Sequence, residues 1–236
     1  MLLITLILSV SLSLVHVASA TETITLKIEP ARVAGRYNKY ASFAINITEI
    51  TETAGYDLKS WSLKVNWTDT KFEYVSAAQG PFLKKDGADT YWVPPIREVS
   101  LGNETIQLGC AILGAGIGVR GAGILTTVTI NVTDAAAAGS KFDIHAIELR
   151  NSLGYPINST YYDVVVRDEL GEFAEALYYD INYPFGMVDI FDLITVGIHY
   201  GETGTPGWID EDIDDDGNVD IQDLAIIAQN YGAYVV

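Results

Sequence analysis

Apolar and polar residues alternate with a period of two over the first two thirds of the chain. This pattern predicts short strands that each bury one face, and turns rich in glycine and asparagine separate them. The clearest apolar rows are Ile24, Leu26 and Ile28; Phe43, Ile45 and Ile47; Trp61, Leu63, Val65 and Trp67; and Val128, Ile130 and Val132. Residues 21–167 are therefore predicted to form a mainly β domain, an antiparallel β-sandwich with its own core.

From residue 179 the pattern changes to two short apolar stretches with helical spacing. Each follows a polar loop and ends at Tyr-Gly, where glycine is suited to the left-handed geometry that terminates a helix. The copies are related by an offset of 31 residues, as in Tyr200-Gly201 and Tyr231-Gly232. One loop and one helix cannot bury an apolar face alone, but two packed copies can. The repeat predicts a two-helix unit over 179–236, joined to the sandwich by an acidic linker, 168–178.

The loop of the second copy has the ligand spacing of a 12-residue calcium loop. Oxygen-bearing side chains occupy positions 1, 3, 5, 9 and 12, and glycine occupies position 6, where the backbone turns sharply. A solvated acidic loop is the alternative, but it would not also place Gly217 and Val219 at the required positions. The predicted calcium ligands are Asp212, Asp214, Asp216, Asn218, Asp220 and Asp223.

The first loop departs from this spacing, because it holds one extra residue and no acid precedes Gly186. A backbone carbonyl or a water must therefore replace the side chain at the fifth position, while Pro184 stiffens the loop. We predict a second, weaker calcium site here. Its candidate ligands are Asp180, Asn182, Asp189 and Asp192.

The duplicated loop and helix, with aspartate at position 12 and Tyr-Gly at the end, resembles a dockerin module over residues 179–233. Dockerins fold on binding two calcium ions and dock a helix face onto a cohesin, so the resemblance implies both activities here. It also implies that recognition involves the positions just before each final aspartate, namely Ile190, Phe191, Ile221 and Gln222. For Phe191, burial in the core is the alternative.

The β domain resembles a cohesin, a nine-stranded jelly roll that binds dockerins. The resemblance is carried by an early Ile-Glu-Pro strand, Asn66-Trp67-Thr68 at a turn, Gly123-Ile124-Leu125 before Val128–Val132, and a closing strand Asp163–Val166. It implies an exported protein of the kind found in archaea. A sugar-binding or generic surface sandwich is the alternative, because one architecture hosts many functions.

Three features predict export to the cell surface or the medium. Residues 1–20 are uncharged, mostly apolar and end in Ala18-Ser19-Ala20, as in a signal peptide; an uncleaved anchor is the alternative. No later segment has the roughly 20 apolar residues that span a bilayer. Five Asn-x-Thr sequons predict glycosylation, with chance triplets as the alternative: Asn46, Asn66, Asn103, Asn131 and Asn158. Cys110 is the only cysteine and cannot form an internal disulfide.

Charge divides the chain and excludes some functions. Residues 168–236 hold 16 acids and no lysine or arginine, whereas residues 21–167 hold 15 acids and 14 bases. Such self-repulsion opposes compactness unless cations neutralise it, and a chain without a basic stripe is a poor nucleic-acid ligand. His145 and His199 lie in no hydrolase motif, and the glycine-rich 114–123 lacks the Lys-Ser/Thr of a phosphate loop. We expect no enzyme.

These expectations combine into an extracellular assembly protein. A cohesin-like and a dockerin-like unit on one chain would give rings or filaments if copies dock head to tail. Closure within one chain and docking to other proteins are competing geometries. The alternative function is a carbohydrate-binding or adhesion module that the dockerin tethers to a scaffold. Exposed aromatic rows would favour polysaccharide binding, and the candidates are Trp61, Trp67, Trp92 and Trp208.

Overall fold

The computed structural model describes residues 22–35, 37–51, 56–134, 136–158, 164–175, 179–182, 184–206 and 208–234. The predicted signal peptide, residues 1–20, lies outside the described residues. Within these ranges, no helix has the length and apolar character needed to cross a membrane.

The elements fall into a β domain and a C-terminal helical module. The described strands are β1 Glu22–Glu29, β2 Arg32–Gly35, β3 Tyr40–Ile50, β4 Ser60–Trp67, β5 Phe72–Gln79, β6 Thr90–Ser100, β7 Asn103–Ile112, β8 Gly121–Val132, β9 Lys141–Arg150, β10 Val164–Glu169 and β11 Gly171–Glu175. A 3₁₀ helix, Phe82–Gly87, lies between β5 and β6. The α-helices are α1 Ile190–Ile198 and α2 Ile221–Gln229.

The strands form two sheets, which confirms the predicted β-sandwich. The five-stranded sheet has the order β10-β1-β3-β8-β5 and the six-stranded sheet the order β2-β11-β9-β4-β7-β6. The expectation of a wholly antiparallel fold is wrong for two pairs, because β10 runs parallel to β1 and β11 runs parallel to β2. Both late strands pair with strands more than a hundred residues earlier, and alternation within a strand does not encode its direction.

The alternating apolar rows fill the space between the sheets. Phe43 of one sheet contacts Phe142 of the other with ring centroids 4.8 Å apart, and Phe72 lies 5.1 Å from Phe142. Trp61 and Trp67 are buried in the same core. These two tryptophans are therefore packing residues and offer no surface for a sugar.

The predicted linker at 168–178 is wrong for residues 168–175. Asp168 and Glu169 end β10, and 171–175 form β11, whose Phe173 is buried in the sandwich core. The acidic residues Glu172 and Glu175 beside Phe173 in the sequence concealed this strand, which has one large apolar side chain. Moving these residues to the sandwich removes four of the 16 acids from the C-terminal region, so residues 176–236 hold 12 acids and no lysine or arginine.

The two helices of the C-terminal module share a core that is separate from that of the sandwich. Its fully or nearly buried members are Ile181, Val188, Val196, Ile213, Val219 and Ile227. The first three and the last three occupy equivalent places in the two copies of the repeat. The two copies thus bury their apolar faces against each other, as the repeat predicts.

Candidate calcium loops and docking faces

The second loop brings three of its predicted ligands together. Carboxylate oxygens of Asp212, Asp214 and Asp216 all lie within 4.8 Å of one another. Asp212 is buried, whereas Asp214 and Asp216 reach solvent. Burial, and after it the carboxylates of Asp216, Asp223 and Asp212, raise the pKa of Asp214 above its ordinary value. The loop therefore concentrates negative charge in a way that a cation would relieve.

The last ligand position, Asp223, ties the start of the loop to the start of α2. One carboxylate oxygen accepts hydrogen bonds from the N–H groups of Ile213 (2.7 Å) and Asp214 (3.3 Å), and the other accepts one from Asp220 N–H (2.7 Å). Asp220 in turn caps α2 by accepting from Gln222 N–H at 2.7 Å. The predicted ligand at position 9 thus also serves as the helix cap.

Two positions in the centre of the loop act through the backbone. Gly217 has φ +89°, and an added Cβ would lie 2.8 Å from the carbonyl oxygen of Gly204, so only glycine fits. The side chain of Asn218 donates to Asp216 at 3.0 Å. Position 7 of a calcium loop supplies its backbone carbonyl, so this use of the Asn218 side chain agrees with a calcium loop.

The first loop repeats these hydrogen bonds despite its extra residue. Asp192 accepts from the N–H groups of Ile181 (2.8 Å), Asn182 (2.9 Å) and Asp189 (2.7 Å), as Asp223 does in the second loop. Gly186 N–H donates to Asp180 at 2.5 Å, as Gly217 N–H donates to Asp212 at 3.0 Å. Both ends of the loop therefore keep the arrangement of the intact copy, and the insertion is confined to the stretch between Asn182 and Gly186.

The buried carboxylates provide a test of whether a metal fits. Asp180, Asp192, Asp212 and Asp223 are 0%, 1%, 2% and 0% exposed, yet residues 176–236 contain no lysine or arginine. Each of these carboxylates accepts backbone hydrogen bonds, but moving a charged carboxylate out of water still costs several kcal/mol. Carboxylate, amide and carbonyl oxygens are the donors that Ca²⁺ prefers, and the loops offer no cysteine or histidine for a softer metal. The donor set fits calcium at both loops.

The two loops are held together by reciprocal backbone hydrogen bonds. Val219 N–H donates to Glu202 O (2.9 Å), and Gly201 N–H donates to Val219 O (2.8 Å). In the other copy Val188 N–H donates to Ala233 O and Gly232 N–H to Val188 O, both at 2.8 Å. Both glycines have positive φ, as predicted for helix ends. The segment after each helix therefore clamps the opposite loop, a role that was missed although the Tyr-Gly repeat signals it.

The predicted recognition residues lie at the surface. Phe191 is 56% exposed, so it is not a core residue, and Ile190, Ile221 and Gln222 are also exposed. With Ile194 (47%) and Ile198 (72%), Ile190 and Phe191 form one apolar surface, hereafter the α1 face. Sequence reasoning missed Ile194 and Ile198, although their spacing of four residues from Ile190 places them on the same side of a helix. The equivalent surface of α2 carries Ile221, which is 64% exposed, together with Gln222, Ala225 and Gln229.

The outer surface of the six-stranded sheet carries a second exposed apolar group. Tyr91, Val93 and Ile96 of the edge strand β6 are exposed and lie beside Ala111, Gly109 and Gln107 of β7. We call these three residues the β6 face. A register shift between Val93 and Ile96 contains Pro94-Pro95. Prolines donate no hydrogen bond, so the strand edge is protected from pairing with another chain, while its outer surface stays open.

Of the five sequon asparagines, Asn103 is exposed and the other four are half-buried. Asn46, Asn66 and Asn131 lie on β3, β4 and β8 between buried neighbours, Asn103 begins β7 after a turn, and Asn158 lies in the loop that follows β9. The amide of Asn46 donates to Glu29, whereas Asn103 is exposed. Glycosylation of these residues stays a prediction.

No protein-family model matches the sequence, and no curated protein matches it. Solved structures that are similar in fold include a non-cellulosomal cohesin from the archaeon Archaeoglobus fulgidus (TM-score 0.45, 14% identity, 66% of this chain and 92% of that one). Others are the second type II cohesin module of the scaffoldin ScaA from Acetivibrio cellulolyticus (0.49, 12%, 64% and 96%) and a type I cohesin–dockerin complex from Clostridium thermocellum (0.46, 10%, 65% and 99%). We base the functional proposal on the loops and faces of the chain itself.

Proposed function

We propose that this chain is an exported, non-catalytic assembly protein whose C-terminal module folds on binding calcium and then docks onto another protein. The observation that carries the proposal is the pair of matching loops, with four buried carboxylates and no basic residue in the module. Calcium would neutralise these carboxylates and allow the charged loops to close over the small core. A non-catalytic role is supported by the placement of His145 on β9 and His199 at the end of α1, in different modules.

The α1 face is the docking surface. Its four members are large and apolar, and the carboxylate of Asp192 on the same helix is buried. Fully burying such a side chain contributes about 1.5–3 kcal/mol, and these four are already about half buried. Docking would therefore gain roughly 3–6 kcal/mol from this face before the costs of association. The equivalent α2 surface has one large apolar residue, Ile221, beside two glutamines and an alanine, so it would contribute less and the α1 face dominates.

The partner we infer is a second copy of this chain, bound through its β6 face. The β6 face offers apolar side chains, and the prolines of β6 protect the strand edge from pairing with another chain. Its contribution to binding would therefore come from side-chain burial. Both modules carry net negative charge, −12 for residues 176–236 and −5 for residues 21–175 (19 acids and 14 bases). Apolar burial must then provide the attraction. The α1 face is exposed within its own chain, which supports docking between copies over closure within one chain.

Sedimentation velocity on the chain beginning at Thr21 tests the proposal. With calcium we expect concentration-dependent assembly, and with chelator a monomer that has lost helical circular dichroism. Phe191→Ser should suppress assembly without changing the calcium-induced helical signal, whereas the matched change Gln222→Ser on α2 should have little effect. A monomer under both conditions would refute docking between copies. A helical signal indifferent to calcium would refute the calcium-dependent folding of the module.

A further inference from the structure

The first loop differs from the second at the position before its glycine, where the C-terminal module meets the sandwich. In the second loop the residue before the glycine is Asp216, a charged side chain in solvent, whereas in the first loop it is Phe185, which is half-buried. The hydrogen bonds at both ends of the two loops are the same. The first loop therefore has an aromatic ring at the position of the predicted ligand Asp216, while the hydrogen bonds at both ends of the loop are kept.

Residues of the sandwich line a cavity together with this ring. Phe185 and Ile181 line a cavity of about 380 Å³ together with Lys39, Tyr40 and Thr129, from the start of β3 and the outer surface of β8. A Cβ added to Gly186 would lie 3.9 Å from the Cβ of Ala34 on β2, an ordinary van der Waals distance. The first loop thus approaches two strands of its own sandwich.

The second loop reaches the same region through an ion pair. Lys39 Nζ lies 2.5 Å from Asp210 Oδ2, and Asp210 precedes the first ligand position, Asp212, by two residues. Backbone hydrogen bonds fix Lys39 in the turn before β3, because Val132 N–H donates to Lys39 O and Asn38 N–H donates to Val132 O. Both groups are partly exposed, so the pair contributes at most about 1 kcal/mol. The ion pair therefore helps to orient the C-terminal module on the sandwich more than it strengthens the packing between them.

We propose that the turn Tyr37–Tyr40 and the adjoining surface of β8 are a binding surface for the chain's own calcium loops, and that calcium locks the module against the sandwich there. This inference rests on the proposed function, since it requires calcium to order the loops. Ordering both loops would place Phe185 and Asp210 against Tyr40 and Lys39 at the same time. The α1 face would then have a fixed direction relative to the β6 face, and copies would add to an assembly with a constant rotation per step.

Distances between two spin labels test this lock in the full chain. Cysteines replace the exposed residues Ser76 on β5 and Gln229 on α2, while the native Cys110 is buried and escapes labelling. Labelled protein is diluted with unlabelled protein, so that only distances within one chain contribute. With calcium we expect a narrow distance distribution, and with chelator a broad one.

Two variants on the sandwich leave the calcium loops untouched. Lys39→Glu places a negative charge against Asp210, and Tyr40→Ser removes the aromatic wall of the cavity. Both should broaden the distribution in calcium while calcium affinity and the helical signal stay within twofold of the parent. Lys84→Glu, the same charge change on the exposed part of the 3₁₀ helix, should leave it narrow.

The outcomes separate this inference from the proposed function. A broad distribution in calcium, with the helical signal of a folded module, would overturn the lock and leave calcium-dependent docking standing. A narrow distribution in both sandwich variants would also overturn it. A module that neither binds calcium nor folds in its presence would refute the proposed function. It would also refute the inference that calcium locks the module against the sandwich.

Discussion

Asp212→Asn is predicted to have opposite effects with and without calcium. Asp212 is buried and its oxygens accept hydrogen bonds from the N–H groups of Asp216 and Gly217, both at 3.0 Å. Asparagine keeps one acceptor oxygen and removes the negative charge. Loss of one charged ligand should weaken calcium binding at the second loop about 100-fold. At a calcium concentration 1,000 times the parent Kd, the stabilisation would fall from about 4.1 to about 1.4 kcal/mol.

Without calcium the same change removes a buried charge that repels Asp214 and Asp216. The variant should therefore keep at least as much helical signal in chelator as the parent does. The assays are thermal unfolding followed by circular dichroism in calcium, and the residual helical signal of the same samples in chelator. The control is Asp215→Asn, which changes the same charge at an exposed position outside the ligand spacing. A lower melting temperature in calcium together with a lower helical signal in chelator would mean that Asp212 is a structural hydrogen-bonding residue and not a ligand.

Three further predictions concern single positions. Phe191→Ser should weaken docking about 10-fold through the lost burial of half a phenyl ring, measured by sedimentation equilibrium in calcium, with Gln222→Ser unchanged. Gly217→Ala should lower the free energy of unfolding of the calcium-loaded module by at least about 1–2 kcal/mol, because φ of Gly217 is +89°. Gly197→Ala, in the exposed part of α1, should raise that free energy by about 0.5–1 kcal/mol. Chemical unfolding measures both variants, and equal effects would contradict the loop geometry. Asp57→Asn should reduce the loss of sandwich stability at acid pH, measured by calorimetry as a function of pH. The same pH dependence in the variant and the parent would contradict this.

The sign of the Asp57 effect follows from its surroundings. Burial opposes ionisation of this carboxyl, but hydrogen bonds from Ser152 and Gly118 and the charge of Arg120 hold its pKa below the ordinary value of 3.8. A lowered folded-state pKa contributes stability above the unfolded value, and that stability is lost as pH falls through the folded value. The parent should therefore lose stability as pH drops below about 4, and the asparagine variant should lose less.

Strands with strict alternation were predictable from the sequence, and others were not. In β4, every second residue from Trp61 to Trp67 is buried, because a half-buried strand imposes this pattern directly. In β11, Phe173 is the only large apolar residue among acids, so local pattern favoured a linker. Its burial depends on pairing with β2 and β9, which are far away in sequence. Tertiary pairing of this kind leaves no local signal.

The ligand positions of the second loop were also predictable, because chelation by one continuous loop fixes their spacing. The reciprocal clamp through Val188 and Val219 was missed, because the Tyr-Gly repeat marks the two segments but does not show the backbone hydrogen bonds that join different copies. The joint at Phe185 was not predictable either. In the sequence, a residue that breaks the calcium pattern suggests a degenerate loop, whereas the cavity that Phe185 lines together with Tyr40 is seen only in the packed chain.

Calcium binding to the chain beginning at Thr21 tests the central claim most directly, by isothermal titration calorimetry with helical circular dichroism on the same samples. We predict two calcium ions per chain, with the tighter site weakened about 100-fold in Asp212→Asn, and a gain of helical signal that follows the binding isotherm. Heats that indicate no calcium binding, or a helical signal that is complete in chelator, would contradict the claim that calcium builds the docking module.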